Sequence, residues 1–173
     1  MWNGADPSKT PLVLVACGSF SPVTLLHLRM FEMARDHARN ETDFEVVGGY
    51  LSPVNDAYRK PGLEHAQHRI NMCQLACLDT SDWLMVDQWE ALVQQEYMPT
   101  AKVLDHFNHE INTVRGGIEV DVYDAESGRT YADKRQARIM LLAGSDLIQT
   151  MSEPGVWDEK DVSLPLIAQP VST

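Results

Sequence analysis

A chain of 173 residues suits one domain, and a hydrophobic share of 44% describes an ordinary globular protein with its own core. The formal net charge of −11 argues against nucleic acid as a partner, because a phosphate backbone needs a basic face. No apolar run approaches the roughly 20 residues of a membrane span, and residues 1–10 are polar, so no membrane is expected and a nuclear or cytosolic site is.

Residues 1–10 read as a disordered start. Residues 11–17 are a continuous apolar run ending at Gly18, which predicts a buried parallel strand. Thr24 is a good N-cap for a helix over 24–38, in which Leu28, Phe31, Ala34 and Ala38 form one apolar stripe. Residues 44–50 predict a second strand. A second helix spans 63–78 with Ala66, Ile70, Cys73 and Cys77 inward, and 83–86 make a short third strand. Residues 91–112 are mostly helical, with a break near Pro99, and 118–122 are a weaker strand. Residues 138–143 form another buried strand ending in Gly144-Ser145-Asp146, with a helix from Leu147. Strands alternating with helices predict a doubly wound α/β sheet. From 162 onward Pro165 and Pro170 interrupt a stretch without periodicity, which reads as disordered or loosely docked.

Three cysteines are too few and too odd for a disulfide framework, and Cys73 and Cys77 lack the C-x-x-C redox spacing. They read as small apolar core residues. His65 with His68, or His106 with His109, would need a second pair to make a zinc site, so no metal ligands are assigned.

The segment Gly18-Ser19-Phe20-Ser21-Pro22-Val23-Thr24-Leu25-Leu26-His27 carries the chemistry. It joins a predicted strand to a predicted helix, at the strand's carboxyl end, where open α/β sheets bind ligands. A glycine there lets backbone approach a phosphate, and the helix N-terminus favours negative charge. His27, in the first helical turn, is placed to donate to a phosphate oxygen. The segment is neither a Walker A loop nor a G-x-G-x-x-G fingerprint. It resembles the Gly-x-Phe-x-Pro-x-Thr-x-x-His signature of nicotinamide mononucleotide adenylyltransferases, and most closely their eukaryotic branch. Thr24 occupies the position of the first histidine of the wider class, as is usual in that branch.

Further segments carry the same resemblance. Ser52-Pro53-Val54-Asn55-Asp56-Ala57-Tyr58-Arg59-Lys60 is similar to the family's Ser-Pro-Val-x-Asp-x-Tyr-x-Lys loop. His68-Arg69 matches too, and both are read as structural because their helix lies far from the strand ends. Val86-Asp87-Gln88-Trp89-Glu90 resembles Val-Asp-x-Trp-Glu. Tyr97 and Thr100 correspond to the aromatic and threonine that face nicotinamide, the aromatic being usually tryptophan. Gly144-Ser145-Asp146 matches Gly-x-Asp, and Pro154-Gly155-Val156-Trp157 matches Pro-x-x-Trp.

The resemblance implies a Rossmann-like nucleotidyltransferase domain over 11–161, weak between 117 and 134. It implies transfer of AMP from ATP to nicotinamide or nicotinate mononucleotide, giving NAD and pyrophosphate. His27 would stabilise phosphate charge. Gly18, Ser19, Phe20, Thr24, Gly144 and Asp146 would hold ATP, and Lys60, Tyr97, Thr100, Val156 and Trp157 the mononucleotide. Mg²⁺ would come with ATP, and homo-oligomers are common in the family. Relatives continue with a further strand–helix pair and an Ile-Ser-Ser-Thr-x-x-Arg phosphate motif, absent here. The expectation is therefore a shortened domain with a non-family tail over 162–173. Two other readings stay open: an impaired or regulatory nucleotide-binding fragment, and an adenylyltransferase for another acceptor such as pantetheine phosphate.

Overall fold

The computed structural model describes residues 8–124, 128–150 and 166–168. The apolar run at the start becomes β1 (Thr10–Gly18). Its alternate side chains leave on opposite faces, so Leu12, Leu14 and Ala16 join one core and Val13 and Val15 another. Both faces therefore need helices.

Helix α1 (Leu25–Glu41) covers the first face, and its buried residues are Leu28, Phe31, Ala34 and Ala38, the predicted stripe. Lys9 caps its far end, donating from Nζ to the carbonyls of Arg39 and Thr42 at 2.6 and 2.9 Å. Strand β2 (Phe44–Pro53) pairs in parallel with β1 from Thr10↔Phe44 to Gly18↔Pro53. Gly49 sits where β2 passes under α1. A Cβ there would lie 2.6 Å from Leu84, 2.8 Å from Trp83 and 2.9 Å from Phe31, so only glycine fits.

Helix α2 (Ala66–Thr80) begins three residues later than the periodicity predicts, because residues 62–65 form a loop fastened to the turn after β1. Its buried set is Ala66, Ile70, Cys73 and Cys77, plus Arg69. Cys73 and Cys77 are free thiols; burial pushes Cys73 up to about 12 and Cys77 also upward, which makes both inert. Strand β3 (Leu84–Val86) pairs with β2.

The predicted long helix is divided. A π-helical turn (Trp89–Val93) precedes a non-helical stretch, then α3 (Thr100–Asn108) and a second π-helical turn (His109–Val114). Val103, Leu104, Phe107 and Ile111 cover the second face of the sheet, against Val13, Val15, Ile139 and Leu141. His106 stacks on Trp89 with ring centroids 4.0 Å apart. Strand β4 (Ile118–Asp124) pairs antiparallel with β5 (Arg129–Arg135), which the sequence reading missed; the two form a separate hairpin. Strand β6 (Arg138–Ala143) returns beside β1, and α4 (Ser145–Thr150) follows.

A strand was not expected beyond 162. Nevertheless β7 (Leu166–Ala168) pairs in parallel with Leu141–Ala143 and extends the sheet past β6. The main sheet runs β3-β2-β1-β6-β7, all parallel. The order reverses between β1 and β6, which is the switch point where such sheets bind ligands at their carboxyl edge. No helix among the described residues is long and apolar enough to cross a membrane.

Candidate active site

Strand β1 ends at Gly18 and β6 at Ala143, on either side of the switch point. Past Gly18 the backbone turns through Phe20, whose φ of 44° lies in the left-handed region that non-glycine residues avoid. The Phe20 ring is buried and meets the His27 ring edge-on, with centroids 5.1 Å apart. Strained backbone is thus held in place by packing, and the packing includes His27.

Thr24 is the N-cap of α1, with extended φ and ψ of −126° and 163°. Its backbone N–H donates to His27 Nδ1 at 2.9 Å, and its hydroxyl lies 2.8 Å from the same nitrogen. An N–H can only donate, so Nδ1 must accept, and the proton of the neutral ring sits on Nε2. The first bonds into the helix come from His27 and Leu28 to the Thr24 carbonyl, and the first turn carries no acidic residue. The positive end of the helix dipole is therefore not neutralised by a carboxylate of its own first turn.

The loop after β2 is fastened to this turn. Val54 N–H donates to the Gly18 carbonyl at 3.0 Å, and Glu64 N–H to Ser21 Oγ at 3.0 Å. Arg69 completes the join. Fully buried in α2, it donates to the carbonyls of Glu64 (2.7 Å), Ser19 (2.9 Å) and Val54 (2.6 Å), and to Asp56 Oδ1 (2.9 Å). Arg69 is structural, as read from the sequence, but the supposed remoteness of its helix is corrected: the side chain reaches both ligand-edge loops. Burial raises the Asp56 carboxyl, yet the Arg69 hydrogen bond and the Ala66 N–H outweigh it and leave Asp56 below its ordinary range. Lys60 is exposed in the loop, between the Asp56–Arg69 and Ser21–Glu64 fastenings.

Asn55 ties the same loop to the π-helical turn. Its Nδ2 donates to the carbonyls of Glu90 (3.2 Å) and Gln94 (2.8 Å), while its Oδ1 accepts from Ala57 N–H at 2.8 Å. Arg69 and Asn55 lie within the family-like segments 68–69 and 52–60, but their anchoring role follows from partners distant in sequence. Tyr97 is partly exposed, and its ring lies 5.3 Å from that of Tyr58. Burial, then the charges of Glu90, Tyr58 and Cys17, raise its hydroxyl. Thr100 opens α3. Burial also raises the Cys17 thiol at the end of β1, with Glu90 and Asp87 adding to it, so Cys17 is no nucleophile.

Gly144 follows β6, and its carbonyl accepts from Ile148 N–H at 3.2 Å, so Gly144 leads directly into α4. Asp146 is the second residue of that helix. Val156 and Trp157 lie outside the described residues. The described site residues thus come from one edge of the sheet: the β1–α1 turn, the β2–α2 loop, the segment leading into α3, and the β6–α4 turn. Among the described residues no group of three or more His, Cys, Asp or Glu side chains could hold a metal ion.

Residues 15–172 match the cytidylyltransferase-like family model. The chain belongs to this family. Over 158 residues it is 60% identical to nicotinamide/nicotinic acid mononucleotide adenylyltransferase 2 of Saccharomyces cerevisiae, covering 91% of the chain and 37% of that protein. It is 59% identical over 157 residues to the Schizosaccharomyces pombe protein of the same name, covering 91% of the chain and 40% of that protein. The chain thus spans well under half the length of these two relatives. Plasmodium falciparum nicotinic acid mononucleotide adenylyltransferase, solved in complex with NaAD, shares the fold with a TM-score of 0.56 at 17% identity, over 95% of this chain and 78% of that one. Within its family the chain therefore groups with mononucleotide adenylyltransferases of eukaryotic source.

Proposed function

We propose that the chain binds MgATP and nicotinamide or nicotinate mononucleotide and joins them into the dinucleotide, releasing pyrophosphate. The observation that supports this most is the Thr24–His27 pair. It fixes an imidazole N–H donor beside a helix N-terminus, at the carboxyl edge of the sheet.

A phosphate oxygen of the mononucleotide attacks the α-phosphorus of ATP. The bond from that phosphorus to the bridging oxygen breaks, and its electron pair leaves with pyrophosphate. No protein nucleophile is needed, so the rate comes from in-line positioning and from stabilising charge as it develops. Backbone at Gly18, Ser19 and Phe20, with the α1 N-terminus behind Thr24, receives phosphate oxygens. His27 donates from Nε2 to the reacting phosphate. Lys60 is a mobile point charge for the mononucleotide phosphate. Tyr97 attracts the cationic pyridinium ring through its face, with Thr100 beside it, and Val156 and Trp157 complete the ring site. Gly144 and Asp146 take the adenosine side. Mg²⁺ arrives with the triphosphate and spreads its charge, which also offsets the acidic average field of a chain at −11.

The test is pyrophosphate release on mixing folded chain with MgATP and each of three acceptors: nicotinamide mononucleotide, nicotinate mononucleotide and pantetheine phosphate. Release with either pyridine mononucleotide is expected. Release with pantetheine phosphate alone, or with none of the three, contradicts the reading.

A further inference from the structure

Asn55 is buried, and the residues that follow it in the loop after β2, Asp56 to Lys60, are exposed. Residues 94–99 have no regular structure, and Tyr97 among them is partly exposed. The Asn55 amide joins these two stretches. Its Nδ2 donates to the Glu90 carbonyl at 3.2 Å and to the Gln94 carbonyl at 2.8 Å, with the Ala91 carbonyl at 3.5 Å. These carbonyls lie at the end of the π-helical turn, where a helix offers its last carbonyls no N–H of its own. Asn55 Oδ1 accepts from Ala57 N–H at 2.8 Å, which sets the tight turn Asp56–Tyr58 that leads to Lys60. Carbonyls only accept and an N–H only donates, so a single orientation of the amide satisfies both sides. Beyond the amide, Tyr58 of the loop meets Tyr97 of the segment, with ring centroids 5.3 Å apart. Arg69 anchors the same loop to a different neighbour, the β1–α1 turn, through the Ser19 carbonyl. The loop therefore has one anchor towards the phosphate turn and another towards the Tyr97 segment.

We infer that Asn55 is a positioning residue: its amide sets the Tyr97 segment against the loop that carries Lys60, so that both reach one mononucleotide. The inference rests on the proposed function for what Tyr97 and Lys60 touch, but the fastening of the two segments does not. The side chain at this position donates to the segment and accepts from the loop, which asparagine does and the isosteric aspartate does not. Aspartate keeps the acceptor for Ala57 N–H but turns a second oxygen on the Glu90 and Gln94 carbonyls. Asn55→Asp thus releases the segment while it keeps the turn.

The experiment compares wild type, Asn55→Asp, Tyr97→Ala and the double variant. Calorimetry gives affinities for nicotinamide mononucleotide and for MgATP. Amide exchange gives the protection of Gln94, whose N–H donates to the Trp89 carbonyl at 3.2 Å. Loss of the donations to Glu90 and Gln94 predicts mononucleotide affinity down ~10-fold in Asn55→Asp, with MgATP within about twofold. In the Tyr97→Ala background the same substitution costs about twofold or less, because the ring it positions is gone. Equal losses for both ligands, or a loss undiminished in the Tyr97→Ala background, overturn the inference. If Asn55→Asp does not fold, the same cycle is run with Asn55→Ser, whose hydroxyl still accepts from Ala57 N–H but is too short to reach the Gln94 carbonyl. If wild type binds neither ligand, the proposed function fails, and exchange still decides on Asn55. Exchange that quickens at Gln94 but not along β1 supports the fastening, and unchanged or uniformly quickened exchange overturns it.

Discussion

Arg69 donates through Nη1 to the Ser19 carbonyl at 2.9 Å, across 50 residues of sequence, and so fixes the turn after β1 from a helix two elements away. Through Nη2 the same guanidinium holds the Val54 carbonyl at 2.6 Å. The two loops that flank the proposed phosphate position share one anchor. Arg69→Met leaves three carbonyls without their buried donor, and each such orphan costs about 1–3 kcal/mol. A fall in stability of ~3 kcal/mol or more is expected from urea unfolding, with nucleotide affinity lost alongside. Arg69→Lys, with one compact ammonium for a fork of donors, recovers only part of either. A variant as stable as wild type removes Arg69 from this role.

Thr24 acts on the helix and on the histidine at once. Thr24→Ala removes the hydroxyl near Nδ1 but keeps the backbone N–H that donates to it. The expected loss is about 0.5–2 kcal/mol of stability, with turnover reduced less than in a His27 variant. Thermal unfolding together with steady-state rates separates the two effects.

Gly49→Ala tests the packing that brings β2 and its loop under α1. With neighbours at 2.6–2.9 Å from the added methyl, overpacking costs about 1–3 kcal/mol. Because Leu84, Trp83 and Phe31 must move rather than the site, stability should drop while nucleotide affinity in the remaining folded protein holds. A crystal structure showing Phe31 unmoved, with unchanged stability, would contradict the packing described.

Stability should depend on pH in two windows of opposite sign. Glu90 is raised in the folded state from 4.5 to about 7, so between those values the unfolded chain ionises first and stability falls as pH rises. Asp56 is held below 3.8, so its contribution is present above that value and is lost as pH falls through the lower folded value. Glu90→Gln should flatten the first window and leave the second. Unfolding free energies from pH 3 to 8 for wild type and this variant give the answer directly.

What periodicity could show, the sequence showed: the stripe of Leu28, Phe31, Ala34 and Ala38 on α1, and the apolar run of β1, are patterns set by one element facing one core. What depends on distant partners stayed hidden. Arg69 reads as structural, but that it is fully buried and holds the carbonyls of two other loops shows only in space, as does the burial of Glu90. The long helix breaks earlier than Pro99 alone requires, since Asn55 draws the Glu90 and Gln94 carbonyls to itself and the chain is non-helical from Gln94. Strand β5 is mostly exposed and pairs only with β4, so no apolar pattern marks it. Strand β7 is three residues long and follows a proline, too short for any period to register. The motif marks the β1–α1 turn as a candidate phosphate site, whereas the contacts by which Arg69 and Asn55 anchor the neighbouring loops depend on residues far apart in sequence.

The role of His27 is tested by the rate of NAD formation in wild type and in His27→Ala, each shown to be folded by circular dichroism, with MgATP and nicotinamide mononucleotide. Turnover is expected in wild type, with a fall of about 10²-fold or more in the variant and thermal stability little changed. Turnover in His27→Ala close to that of wild type would contradict it.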